Sequence, residues 1–447
     1  MTARVRAVFH LSAGAALVLV TLAADRLLGH PARLGSLQVG VLALGVALVP
    51  LGFLDLGRIS RLSANLCLVL LAALATLAIA EGACRAVGWD FAAAEVRAWK
   101  RVPPFYRQPT VPQGDAFFRR PGPERWTGQV LHTRLQQLGI HPDPYAAEPA
   151  ITVAYDREGF RNPEGLTSWE IAVAGDSFTE LGYLPQEQLF TSILGRKLQV
   201  SVKNLGASYT GPLTQLSYLR EYGISPSTKD VIVVFFEGND LKNLAAEHAA
   251  LERWKRTGVR DRREIPSQPS LVRALAAAVS RLGARLSQPA VPLDYVTAAF
   301  RGKDGEVPVT LVYTPPARGE LGEETLRQLD AFFQDYRALA RSRSVRAWLA
   351  YMPAKERVLH GRLAFAPAAP PTLVTWRPTD LPDLVGEECR RHGVGFIDLT
   401  PALAEETARE GRLLYNAIYD SHLDARGSEV VAGELARHLA ASRPESE

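Results

Sequence analysis

Three stretches of the 447-residue sequence carry no charged side chain: Ala7–Ala24, Leu34–Leu54 and Leu62–Ala80, of 18, 21 and 19 residues. A helix needs about 20 apolar residues to cross the hydrocarbon core of a bilayer. A helix of that length buried in a soluble core ordinarily keeps a polar stripe. The runs therefore predict three membrane helices, at 7–24, 34–54 and 62–80, within a membrane region spanning residues 1–87. Arg4 and Arg6 before the first run, with Arg58 and Arg61 before the third, set the topology by the positive-inside tendency. Everything after Ala80 then falls on the extracytoplasmic side. Arg4 and Arg6 ahead of the first run also fit a signal peptide cleaved near Ala24. That alternative leaves two spans and the same external domain.

The rest of the chain excludes several function classes. With 51 basic and 47 acidic residues the net charge is only +4, which gives no electrostatic support for a nucleic-acid partner. The three cysteines do not form a disulfide scaffold: Cys67 lies in an apolar run, Cys84 beside one, and Cys389 in a predicted helix. Neither they nor the nine histidines show metal-ligand spacing. Residues 88–150 are irregular and proline-rich, but Trp99, Phe105, Tyr106, Phe117, Phe118 and Trp126 argue against a disordered tether. This segment is expected to pack on the main domain or near the membrane.

From residue 151 to 445 strands and helices alternate, with an insertion at about 241–310. Trp169–Ala174, Val200–Leu205, Val231–Phe236, Val345–Tyr351 and Val394–Leu399 read as strands. Gln186–Gln199, Leu213–Tyr222, Glu323–Arg343 and Arg426–Ala441 read as helices, with another through Cys389. Within the insertion the pattern predicts a basic helical stretch from Arg253 to Arg263, a helix over Leu271–Leu286 and a hairpin around Lys303-Asp304-Gly305. Such alternation implies an α/β fold, a parallel sheet with helices on both faces, whose sites lie at the carboxyl ends of the strands.

Chemistry-bearing residues fall at those strand ends. Gly175-Asp176-Ser177 follows the first strand. Alone it also reads as a turn with a capping serine. Asn204-Leu205-Gly206 closes the next strand, where a glycine amide can point into a site, and Gly238-Asn239-Asp240 follows Val231–Phe236. Near the C-terminus comes Tyr419-Asp420-Ser421-His422-Leu423. In this order the blocks resemble the SGNH (GDSL) hydrolase superfamily over most of residues 151–440. Gly159-Phe160-Arg161 and Pro353-Ala354-Lys355-Glu356 look like its membrane-tethered branch. The resemblance implies an SGNH-hydrolase-like, flavodoxin-like sheet, with Ser177 as nucleophile, His422 as general base and Asp420 as the residue that orients it. It further implies an oxyanion hole built from the amides of Ser177 and Gly206 and the side chain of Asn239. Family members commonly place the aspartate three residues before the histidine, a position held here by Tyr419. Asp420 stands two before, on the same side of an extended loop. Asp176 reads as structural, and Lys355, after a strand, as solvated.

The expected function is a serine esterase acting on acyl esters, O-acetyl groups foremost, of a cell-surface or polysaccharide substrate through an acyl-serine intermediate. Two alternatives stand beside it. One is an O-acyltransferase that modifies an extracytoplasmic glycan, its membrane helices docking a membrane acyl-donor protein. The other is a non-catalytic envelope-binding protein of the same fold. No metal or diffusible cofactor is expected, since the mechanism needs only side chains and backbone amides.

Overall fold

Asp230–Phe236 is apolar after its first residue and Ile171–Gly175 throughout, so helices must cover both faces of any sheet they share. The computed structural model arranges them so. It describes residues 3–28, 36–51, 53–54, 58–92, 103–114, 116–128, 150–260, 270–272, 274–275, 278–279, 296–416 and 421–442. The strands in chain order are β1 (Val111–Gln113), β2 (Phe117–Arg119), β3 (Glu124–Gly128), β4 (Ile151–Tyr155), β5 (Ile171–Gly175), β6 (Val202–Gly206), β7 (Asp230–Phe236), β8 (Ala298–Gly302), β9 (Gly305–Val309), β10 (Arg346–Met352), β11 (Leu363–Phe365) and β12 (Gly395–Asp398).

Five of these form one parallel sheet in the order β12-β10-β7-β5-β6. Read from the β6 edge this is a doubly wound 2-1-3-4-5 order, and its winding reverses between β5 and β7, where such folds hold their ligands. Strand periodicity sorts the core into two layers. Ile171, Val173, Ile232, Val234 and Phe236 face Phe178, Phe190, Leu194, Leu403, Val431 and Leu435. Ala172, Ala174, Val231, Val233 and Phe235 face Leu216, Leu244, Phe332, Tyr336, Leu384 and Val385 on the other side. The five strands read from the sequence lie within two residues of those observed. The amphipathic pattern over Gln186–Gln199 resolves into a turn of 3-10 helix at Gln186–Gln188 and a helix at Phe190–Leu198.

The chain divides into two units, Met1–Ala98 with Ile265–Val291, and Trp99–Glu264 with Pro292–Glu447. From Pro103 on, the described part of the proline-rich segment lies in the sheet unit, while residues 88–92 lie in the N-terminal one, and the described residues of the 241–310 insertion fall in both units. Helix Asp240–Thr257 buries Leu241 and Leu244 in the sheet unit. The expected hairpin is there too, as β8 and β9, with β11 alongside β8. The helical residues among 271–279 belong instead to the N-terminal unit, where the Val272 amide donates to Glu81 Oε2 at 3.0 Å. The remainder of the expected Leu271–Leu286 helix lies outside the described residues, as does 261–263.

The N-terminal unit holds helices Ala3–Leu28, Ser36–Leu51 and Arg58–Ala86. The first two cross closely, for a Cβ on Gly14 would stand 2.6 Å from the Gly45 carbonyl. Among the described residues one helical stretch, Leu62–Ala86, is long and apolar enough to cross a membrane. The apolar parts of the other two helices are shorter, Ala7–Thr21 and Val41–Pro50. Helix Ser36–Leu51 has 16 residues and spans about 24 Å at 1.5 Å per residue, short of the ~30 Å hydrocarbon core. Residues 34, 35 and 52 of the charge-free run 34–54 lie outside the described residues.

Candidate active site

β5 and β7 deliver the first residues of the site side by side. A Cβ at Gly175 would lie 2.1 Å from Thr179 Oγ1, so only glycine lets the short helix Ser177–Glu180 fold back over the strand end. Asp176 caps that helix, its Oδ1 accepting the Phe178 amide at 2.9 Å. Ser177 is the first helical residue, and its N–H is among those with no intrahelical acceptor. Its Oγ lies 2.7 Å from His422 Nε2, a separation at which the hydroxyl can donate to an unprotonated imidazole nitrogen. The two residues are 245 positions apart in sequence.

His422 is held by backbone and by rings. The Asn416 amide donates to the His422 carbonyl at 2.9 Å. Tyr183 Oη donates to the next carbonyl, that of Leu423, at 2.6 Å. The imidazole packs edge-on against Phe105 and tilted against Phe178, with centroids at 5.2 and 4.6 Å. Asp420, expected to orient the imidazole, lies outside the described residues.

Asn239 follows β7 and its side chain hydrogen-bonds to Asp176, while its Oδ1 is buried without a partner. Burial pushes the Asp176 carboxyl up to about 6, against the Phe178 amide and the side chains of His422, Asn239 and Ser177, which lower it. Asp240, whose Oδ2 accepts the Phe236 amide at 2.8 Å, is held well above the usual range by burial and by the charge of Asp176. Ser177, His422, Asp176 and Asn239 thus meet at the point where the winding reverses.

Gly206 departs from the expectation. Its amide donates to Asn204 Oδ1 at 2.8 Å in a buried turn, so it already has an acceptor other than a bound oxyanion. Its lack of a side chain serves packing, since a Cβ would stand 2.3 Å from the Glu180 amide nitrogen. Lys355 also departs. It is fully buried, and Nζ donates to the Asn416 carbonyl at 2.7 Å. It holds the backbone beside the Tyr415–Leu423 bridge.

The sequence reading missed the wall of the site. Glu180, three residues after Ser177, is fully buried. It accepts Arg120 Nη2 at 2.9 Å, Tyr155 Oη at 2.6 Å and Ser208 Oγ at 2.8 Å. Arg120 also donates to the carbonyls of Pro104, Phe105 and Arg107. This clamp ties the proline-rich segment to the nucleophile helix and seats Phe105 on the histidine. Gly159, at φ +86°, passes where a Cβ would meet the Arg120 carbonyl at 2.2 Å. Buried Arg161 donates to the Leu181 and Leu184 carbonyls. The dense run Phe117-Phe118-Arg119-Arg120-Pro121 was the one signal that this segment holds a buried cation.

Among the described residues one trio of possible metal ligands approaches within 4.8 Å, Asp330, Glu388 and His392. Arg391 already pairs with both of its carboxylates.

The chain matches no family model and no curated protein. Similar solved structures include a protein assigned to the G-D-S-L lipolytic family from Desulfitobacterium hafniense DCB-2, at 14% identity over 60% of this chain and 97% of that one, with TM-score 0.30. The acetyl xylan esterase AlAXEase is 11% identical over 61% and 99%, with TM-score 0.31. A carbohydrate esterase family 2 enzyme of Corynascus thermopiles with a carbohydrate-binding domain is 12% identical over 66% and 71%, with TM-score 0.31. At such identities and scores the functional reading rests on the site's own geometry.

Proposed function

We propose that the chain is a serine esterase of the SGNH type that removes short acyl groups, acetyl foremost, from a glycan. The observation that carries this reading is the 2.7 Å approach of His422 Nε2 to Ser177 Oγ at the carboxyl edge of a parallel sheet. A serine hydroxyl is a weak nucleophile until a neighbouring base takes its proton. In the proposed reaction Ser177 Oγ attacks the ester carbonyl while His422 takes the hydroxyl proton. The tetrahedral oxyanion is stabilised by the Ser177 amide and the Asn239 side chain. His422 then protonates the departing sugar oxygen. Water, deprotonated by the same imidazole, releases the acid from acyl-Ser177. Asp420 is assigned the orienting role.

Leu62–Ala86 is the proposed membrane anchor, with the runs at 7–24 and 34–54 as further spans and the sheet unit on the extracytoplasmic side. Trapping tests the covalent step. Incubation with 4-nitrophenyl acetate and an acid quench should leave an acetyl group on the Ser177 peptide by mass spectrometry. The adduct should accumulate in His422→Ala only at rates near background. Acetylation elsewhere, or unaffected by His422→Ala, overturns the mechanism. Adding a sugar acceptor during turnover separates hydrolysis from transfer by the product formed.

A further inference from the structure

The apolar surface of the N-terminal unit does not stop where its long apolar helix stops. Leu66, Val69 and Ile79 lie exposed along Leu62–Ala86, the stretch long and apolar enough to cross a membrane. Just past its end Val87 is exposed as well, and the Trp89 side chain is 61% exposed. The Trp89 amide donates to the Cys84 carbonyl at 2.9 Å, which fastens this residue to the helix end. Tryptophan is enriched at membrane–water boundaries, where its ring meets acyl chains and its N–H meets water.

A second piece of chain arrives at the same helix end. A charge among acyl chains is costly, so Glu81, near the C-terminal end of Leu62–Ala86, marks the edge of the hydrocarbon. Its carboxylate accepts Arg85 Nε at 2.6 Å and the Val272 amide at 3.0 Å. Val272 belongs to Ile265–Val291, the part of the insertion that lies in the N-terminal unit. Leu271, Val272, Ala274, Leu275, Ala278 and Val279 are helical. Leu275 and Val279, one turn apart, share a face, and both are exposed, Val279 to 69%. In sequence the segment Ile265–Val291 carries three arginines, Arg273, Arg281 and Arg285, and no acidic residue.

We propose that the helix holding Leu275 and Val279 is a second membrane contact, lying on an anionic phospholipid surface at the end of the Leu62–Ala86 span. Leu275 and Val279 enter the boundary between headgroups and acyl chains, level with Val87 and Trp89. Two observations select lipid as the occupant. The exposed apolar face continues from a helix of membrane-spanning length, to which the Glu81–Val272 bond ties it. The segment's charge is wholly basic, the complement of anionic headgroups and the pattern of helices that lie in the plane of a bilayer. The inference rests on Leu62–Ala86 being the membrane anchor, and Val69, in mid-helix, tests that reading separately.

The full-length protein carrying Cys84→Ser keeps only its buried cysteines, Cys67 and Cys389. It receives Val69→Cys, Leu275→Cys or Val279→Cys, is spin-labelled there, and is reconstituted into nanodiscs of phosphatidylcholine with and without phosphatidylglycerol. Collisions with oxygen, which concentrates among acyl chains, and with an aqueous nickel chelate report depth. Labels at Leu275 and Val279 should lie about 5–10 Å into the headgroup boundary when phosphatidylglycerol is present. Nickel contact should then be roughly threefold lower than in phosphatidylcholine alone, and Arg281→Glu with Arg285→Glu should remove that difference. Nickel contact equal to that of free label, or equal in the two lipids, overturns the surface helix. Shielding from both oxygen and nickel also overturns it, because protein and not lipid then covers the face. A Val69 label deep in the bilayer beside aqueous Leu275 and Val279 labels refutes the contact and leaves the anchor. An aqueous Val69 label refutes both.

Discussion

Replacing Lys355 by methionine tests how the base is held. The side chain is fully buried, and its ammonium binds the Asn416 carbonyl at 2.7 Å and the Thr310 carbonyl at 3.4 Å. The Asn416 amide in turn binds the His422 carbonyl at 2.9 Å. One residue, Asn416, thus stands between the cation and the backbone of the base. A hydrogen bond to a charged group contributes about 1.5–3 kcal/mol. Methionine keeps the volume but removes that bond, while also relieving the burial of a charge. The two effects oppose, and a net loss of about 1–2 kcal/mol is expected. The effect on rate should be larger, because displacing a catalytic group by about 1 Å lowers turnover by ~100-fold. Lys355→Met should therefore lower kcat by roughly 10- to 100-fold on 4-nitrophenyl acetate, with KM within about threefold, while urea titration shows the fold retained. Lys355→Arg, which keeps the charge, should recover part of kcat. A Lys355→Met enzyme within twofold of wild type, or one whose kcat loss matches only its unfolded fraction, would refute this reasoning.

Further expectations follow from the same geometry. Gly206→Ala places a Cβ 2.3 Å from the Glu180 amide nitrogen, and overpacking of this kind costs about 1–3 kcal/mol. It should lower both Tm and turnover, whereas Asn204→Ala, which frees the Gly206 amide, should change turnover less. Asp176 is raised from its ordinary 3.8 to about 6 by burial, equivalent to roughly 3 kcal/mol. The folded protein holds this proton where the unfolded chain has lost it, so stability falls as pH rises between about 4 and 6. Asp176→Asn should remove that part of the fall. Denaturation midpoints measured from pH 4 to 7 should show the mutant gaining on wild type with pH, and a constant difference would contradict the assignment.

The sheet was legible because its strands are short apolar runs bounded by polar turns, a pattern that fixes buried parallel strands without any long-range information. Ser177, Asn239 and His422 were legible because each sits just beyond such a boundary or in a dense polar block near the end. Gly206 was misread for a local reason. Asn204, two residues earlier, turns its own side chain onto that amide, a bond no spacing rule reveals. Glu180, Arg120 and Lys355 were invisible because charged residues in sequence read as solvated, and only tertiary structure shows that Arg120 and Glu180 bury one another. Phe105 reaches His422 across a sequence gap that periodicity does not bridge. Of the three charge-free runs, 62–80 lies within a described helical stretch long and apolar enough to cross a membrane, Leu62–Ala86.

The most direct measurement is hydrolysis of 4-nitrophenyl acetate by the purified full-length protein beside Ser177→Ala and His422→Ala. A paired nucleophile and base act as a unit, so each mutant should lose at least ~1,000-fold in kcat, and both should fall to a similar floor. Turnover that survives Ser177→Ala, or that is absent from the folded wild-type protein, would contradict the esterase assignment.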